Sequence, residues 1–212
     1  MLSKDNIELH FATNHLGHFL LTDLLLDIMK KTAQESNREG RIINVSSISH
    51  WWPYGEGIRF DKINYHCSGY ESSFAYIRSK LANVLHANEL ARRLKEDRVE
   101  ITANSLQTGI VLTNIFREDG FLNVILGFVG KYMFKNVHQV LLYLQKKEIK
   151  FDIMWGSNNM LCALHPQVKG KSGLYFSECK IAQQGSHAAD TELATKLWDF
   201  SLDLVKKCSQ NS

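Results

Sequence analysis

The four cysteines, Cys67, Cys162, Cys179 and Cys208, stand far apart with no CxxC pair. That excludes zinc-site spacing and a disulfide framework, and a reducing compartment fits best. No stretch of about 18 uninterrupted apolar residues occurs, so no membrane-spanning helix is expected. The opening MLSKDNIELHF has no basic segment leading into an apolar core, so no address is read there. Basic and acidic residues, 25 against 22, are scattered and leave a net charge of +3. Without a basic block, nucleic acid is not an expected partner. Nor is there a glycine-rich turn between a strand and a helix: Gly55-x-Gly57 lies in a loop and precedes no helix, so it lacks the form that cradles a phosphate.

What is present is the composition of one globular domain: 212 residues, 44% hydrophobic and 22% charged. From Ser3 to about Lys31, Ile7, Phe11, Leu16, Phe19, Leu20, Leu24 and Ile28 fall at helical spacing, with Ser3 or Asp5 as candidate N-caps. A polar connector, TAQESNREG, leads to Arg41-Ile42-Ile43-Asn44-Val45-Ser46-Ser47, which reads as a buried parallel strand ending at two serines. Residues 48–73 read as a long loop containing Pro53, one of only two prolines.

Helical spacing resumes from about Ser72 to Arg98, and Val99 to Leu106 reads as a second strand. Alternation of helix and strand predicts an α/β protein with parallel units. Further on, helices are expected at 121–135 and up to about Leu164, a short strand at Gly173 to Phe176, and an amphipathic helix from Asp190 to Lys207.

The candidate chemistry starts at AYIRSK. Tyr76 and Lys80 are four residues apart on a predicted helix, and therefore on one face. The spacing recurs at Tyr143 and Lys147, so it is not sufficient alone. The first pair differs in following a strand that ends at Ser46-Ser47, and sites in open parallel sheets form outside the carboxyl ends of strands. A phenol with a pKa of about 10 is a poor acid or base at neutral pH, and a neighbouring ammonium lowers that value. A serine hydroxyl there can bond a carbonyl oxygen, and Asn14, in NHLGHF, can hold a water that relays a proton. His10, Asn14 and His18 share a face, but no carboxylate or cysteine completes a metal set, so that face reads as structural.

FATNHLGHFLLT, GRIINVSS, AYIRSKLANVLHANEL and ITANSLQTGIVLTN resemble, in order, the active-site Asn, Ser, Tyr-x-x-x-Lys and cofactor segments of the short-chain dehydrogenase/reductases. The chain is similar to their retinol-dehydrogenase-like plant branch, which includes the inner-envelope dehydrogenase of the chloroplast Tic import complex. The resemblance extends through GIRFDKIN, ALHPQVKGKSG and KLWDF. It implies Asn14 for the relay water, Ser47 for the substrate carbonyl, Tyr76 as general acid/base, and Lys80 for the tyrosine and the nicotinamide ribose. Tyr76 and Lys80, with Gly109 and Thr113, would be the cofactor contacts. Residues 48–73 would be a substrate-side loop, with Trp51, Trp52 and Tyr54 exposed or lining a pocket.

The resemblance also exposes departures. The family's glycine-rich turn and its Asn-Asn-Ala-Gly segment precede the helix that here begins near Met1, so Met1 looks like an internal methionine of a longer relative. The fold expected is the C-terminal part of a Rossmann-like doubly wound parallel sheet, without its first strands, and residues 1–212 form one partial catalytic domain. Gln107-Thr108-Gly109 stands where the family has a Pro-Gly pair. VLLYLQKKEIKFDIMW, residues 140–155, interrupts the pattern, and its composition suits translated noncoding sequence. A retained intron followed by a frame-shifted stretch to about residue 162 is expected, with an inserted helix as the alternative.

The function implied is NADP(H)-dependent interconversion of an alcohol and a carbonyl, on a small apolar substrate. The alternative is an inactive fragment or interaction module, associated with the Tic complex or binding calmodulin through the C-terminal helix. A chloroplast location follows from the resemblance alone. An unpaired apolar strand at 41–46 predicts poor autonomous folding.

Overall fold

The computed structural model describes residues 1–53, 55–63, 72–107, 165–177 and 180–210. Among the described residues four strands form one sheet in the order β1-β2-β3-β4: β1 (Gly40–Ser46), β2 (Ile101–Gln107), β3 (Tyr175–Ser177) and β4 (Lys180–Ala182). β1, β2 and β3 run parallel, and β4 returns antiparallel to β3. The pairing runs from Gly40 opposite Ile101 to Ser46 opposite Gln107, so both central strands end at one level. The expected α/β architecture with a parallel sheet is what the chain adopts. β4, a three-residue strand, was too short to carry an alternating pattern and is an addition to the sequence reading.

The first helical region differs from the expectation in its start and its regularity. It begins with α1 (Leu9–Phe11), passes through a π-helical turn at Ala12–Leu16, and continues as α2 (Gly17–Ser36). Neither Ser3 nor Asp5 is its N-cap. Glu8 is, with its carboxylate accepting from the amides of His10 and Phe11, because a charged acceptor satisfies two of the unpaired donors of a first turn. The Ser3 hydroxyl instead closes a turn with the amides of Asp5 and Ile7. α2 runs five residues past the predicted end, because Asn37 adopts the left-handed conformation that terminates it (φ 51°) and TAQES is thereby helical.

α3 (Ser72–Glu96) crosses from β1 to β2 and lies between the sheet and α4 (Thr191–Gln210). One apolar cluster joins Phe11 and Leu16 to Leu81, Val84 and Leu85 of α3 and to Leu193 and Leu197 of α4. A second joins Phe19 and Ile42 to Leu90, Leu94 and Ala103, closed by Trp198. The segment 48–63 holds two short 3-10 turns, Ile48–Trp51 and Phe60–Lys62.

The outer face of α2 is bare. Leu21, Leu24, Leu25 and Ile28 are 43–66% exposed, so the apolar periodicity of this helix is only partly a core signal: Ile7, Phe11, Leu16 and Phe19 are buried, whereas Leu24 and Ile28 are not. β1 is an edge strand among the described residues, which leaves Val45 half exposed. No described helix is long and apolar enough to cross a membrane. The expected helices at 121–135 and near 164, the stretch 140–162, and Cys67, Cys162 and Cys179 lie outside the described residues.

Candidate functional site

Neighbouring side chains on a strand point to opposite faces, and the two serines at the end of β1 part accordingly. Ser46 is buried against α3 and its hydroxyl donates to the Lys80 carbonyl at 2.7 Å. Ser47 has extended backbone (φ −150°, ψ 158°) and caps the turn Ile48–Trp51, its Oγ accepting from the Ser49 amide at 3.2 Å. The same hydroxyl lies near enough to the Tyr76 phenol to pull its pKa downward. It is Ser47, not Ser46, that lies against the tyrosine.

Tyr76 and Lys80 are adjacent on α3, with the ammonium 5.6 Å from the phenol ring centroid. Their electrostatics differ from the expectation. Burial pushes the Tyr76 phenol above its ordinary value, and the Ser47 hydroxyl pulls in the opposite direction. The Lys80 Nζ reaches for the Val45 carbonyl at 3.4 Å, and burial depresses its own basicity. Desolvation disfavours both charged forms, so the phenol is neutral near pH 7.

Asn14 sits within the π-helical turn, a rare local geometry that recurs at functional sites. Its side-chain amide donates to Ser79 Oγ at 3.0 Å, and Ser79 donates onward to the Tyr76 carbonyl at 2.7 Å. The Asn14 carbonyl accepts from His18 Nδ1 at 3.1 Å. Asn14 is thus tied to the Tyr76 turn through one buried serine. His10, on the same helical face, stands edge-on to the Tyr76 ring at 6.2 Å between centroids, with its Nδ1 held by the Glu8 carboxylate at 3.0 Å.

Ser47, Tyr76, Lys80 and Asn14 are therefore brought to one end of the sheet, while Gly109, Thr113, Tyr143, Lys147 and Tyr54 lie outside the described residues. Trp51 is exposed and Trp52 partly so. Among the described residues no group of three or more His, Cys, Asp or Glu side chains forms a metal cluster.

Sequence reasoning missed the supporting residues. Ser79 and Asn83 share the Tyr76–Lys80 face, and helical spacing alone points to them. Asn83 donates to the Val45 carbonyl at 2.9 Å, the acceptor that Lys80 also approaches, and Asn44 bonds both the Asn83 carbonyl and His86 Nδ1. Nothing local marks His50, because one of its two ring partners, the Gly185 amide, comes from a distant part of the chain.

Comparison with known proteins relates the whole chain to dehydrogenases. The chain is 47% identical over 204 residues to the chloroplastic short-chain dehydrogenase TIC 32 B of Brassica napus, covering 96% of this chain and 59% of that protein. Its homologues are short-chain dehydrogenases and retinol dehydrogenases. Human retinol dehydrogenase 14 is 39% identical over 205 residues, 97% of this chain and 54% of the relative. The chain thus spans less than two thirds of the length of these dehydrogenases. A solved structure of an uncharacterized protein from Mycobacterium Paratuberculosis superposes with a TM-score of 0.62 at 24% identity, covering 97% of this chain and 62% of that one, and so shares the fold. No family model matches.

Proposed function

We propose that Ser47, Tyr76 and Lys80, with Asn14, form the acid/base end of a short-chain dehydrogenase that interconverts an alcohol and a carbonyl with a nicotinamide cofactor, NADP(H) by resemblance. The observation that carries this reading is the proximity of the Ser47 hydroxyl to the Tyr76 phenol, whose pKa it pulls downward, with the Lys80 ammonium 5.6 Å from the ring centroid. Three separate elements deliver these groups to one point.

The residues fit one end of such a cofactor. The Lys80 ammonium has three donors, and one long contact to Val45 leaves others for a ribose diol next to Tyr76. When bound, the nicotinamide supplies or accepts the hydride. Ser47 orients the substrate oxygen by donating to it, and Tyr76 sits beside Ser47 with its proton in place. In the reducing direction the neutral phenol gives that proton to the carbonyl oxygen as charge develops on it, and burial keeps the phenol neutral until then. In the oxidising direction Tyr76 must accept a proton, which requires added positive charge beside it. Asn14, tied to Ser79, keeps the α1–α2 turn in register with the Tyr76 turn and lies where a relay water would be held. This sequence contains no glycine-rich turn between strand and helix of the kind that cradles a pyrophosphate. The substrate class we assign is a small apolar alcohol or carbonyl, and Gly109 and Thr113 are further cofactor contacts in this reading. Residues 1–212 then form one partial catalytic domain in which 140–162 is an insertion or aberrant segment.

A second reading is an interaction module without catalysis, favoured by the bare α2 face. In this reading the chain associates with an import complex at the chloroplast inner envelope, a proposal supported by two TIC 32 relatives that are named chloroplastic. Calmodulin binding through α4 is the weaker version, because Leu193, Leu197, Trp198 and Leu204 are already buried in the core.

The test is a chimaera in which this chain replaces the matching segment of the Brassica napus relative. Nicotinamide-dependent carbonyl reduction is expected, falling by about 100-fold or more in Tyr76→Phe. Equal rates for the two, or a dead chimaera beside an active parent relative, would sink the proposal.

A further inference from the structure

His50 is fully buried and has no place in the acid/base step just described. It lies three residues beyond Ser47, inside the 3-10 turn that Ser47 caps. Its Nδ1 is 2.7 Å from the Ser47 carbonyl, and its Nε2 is 3.2 Å from the Gly185 amide. An amide nitrogen only donates and a carbonyl only accepts, so these two bonds fix the ring: Nε2 is the acceptor and Nδ1 carries the proton. An imidazolium would set a second N–H against that of Gly185. Burial depresses the basicity of the ring and so favours the neutral form.

The ring is also clamped by its surroundings. Tyr175 of β3 packs on it at 4.7 Å between centroids, and Trp51 lies at 5.9 Å. Gly185 allows the approach from the C-terminal side, since a Cβ there would stand 3.3 Å from Trp51 Cα and 3.5 Å from the His50 carbonyl. The Ser47 carbonyl receives the His50 backbone amide as well, at 3.2 Å. With its carbonyl held twice by His50, and its hydroxyl accepting from Ser49, Ser47 has little freedom left.

We propose that His50, as its Nδ1–H tautomer, is a positioning residue that orients the Ser47 hydroxyl toward Tyr76 and braces this turn on the Gly185 loop. The inference rests on the reading of Ser47 and Tyr76 as the acid/base pair. It adds a residue that touches neither substrate nor cofactor and acts through Ser47.

The test uses the full chain labelled with 3-fluorotyrosine, whose phenol ionises nearer neutrality, followed by 19F NMR with the Tyr76 resonance assigned by Tyr76→Phe. Ser47→Ala should raise the Tyr76 midpoint by about 0.5 to 1 pH unit, the size one hydrogen bond to the charged form produces. His50→Gln, which offers no donor at the Nδ1 position, should raise it similarly. His50→Asn, whose amide can donate from that position, should restore the parent midpoint. A shift in Ser47→Ala with none in His50→Gln overturns the His50 proposal and leaves the site reading intact. A midpoint that stays raised in His50→Asn reduces His50 to packing and also overturns it. No shift in Ser47→Ala overturns the site reading itself. The parent protein gives a check that needs no substitution: the imidazole nitrogen spectrum should show His50 protonated on Nδ1, and protonation on Nε2 contradicts the proposal.

Discussion

The end of the sheet that carries Tyr76 and the outer face of α2 show opposite states of completion. At the sheet end a set of polar side chains is tied within the chain: Ser46 to Lys80, Asn83 to Val45, Asn14 to Ser79, and His50 to Ser47 and Gly185. On α2 four large apolar side chains face outward, next to a strand edge with nothing paired to it among the described residues. The contrast teaches that the candidate site is held by contacts within this chain, whereas the outer face of α2 leaves apolar surface open for association.

The largest expected effect concerns that face. An unpaired edge and an apolar helix stripe favour association, so the purified chain should self-associate, and Leu24→Lys with Ile28→Lys should shift it toward monomer in sedimentation velocity. A monomeric parent that unfolds cooperatively breaks the comparison. The next effect sets the two regions side by side. Leu85→Ala, in the core between α3 and α4, should cost about 2–5 kcal/mol in denaturant unfolding. Leu24→Ala should stay within about 0.5 kcal/mol, and equal costs would show that α2 is covered after all.

A third expectation comes from the buried histidines. Burial is the main cause that brings His86 from 6.5 to about 4, and His15 is lowered for the same reason. The native state keeps both rings neutral while the unfolded chain takes up protons. Stability is therefore complete above pH 6.5 and falls as pH drops from 6.5 to about 4, by about 3 kcal/mol for His86 alone. Unfolding midpoints measured across that range should show the loss, and His86→Leu should flatten it. The smallest effect is at the strand end, where Ser46→Ala removes one hydrogen bond to α3 and should cost about 1 kcal/mol.

The sequence made the site legible and its scaffolding only partly so. Strands 40–46 and 101–107 and helix 72–96 were readable because apolar spacing and β-branched runs dominate there. Tyr76 and Lys80 stood out by sharing a helical face downstream of a strand end. The π-helical turn around Asn14 was missed, although the five-residue step between the buried Phe11 and Leu16 is its trace in the apolar spacing. The Glu8 cap was hidden by two nearer candidates of the preferred type. His50 was invisible because its meaning depends on Gly185, 135 residues later. The net direction of the Tyr76 shift was not legible either: four residues of spacing give adjacency to Lys80, but burial is the largest influence on both groups.

The central claim is that this chain carries the acid/base end of a dehydrogenase without the turn that grips a dinucleotide phosphate. The direct measurement is a titration of the chain with NADPH, followed by quenching of its four tryptophans and by turnover with a carbonyl substrate. The account predicts no saturable quenching and no reduction. Tight saturable binding, with a turnover that only Tyr76→Phe/Lys80→Ala abolishes, would contradict it.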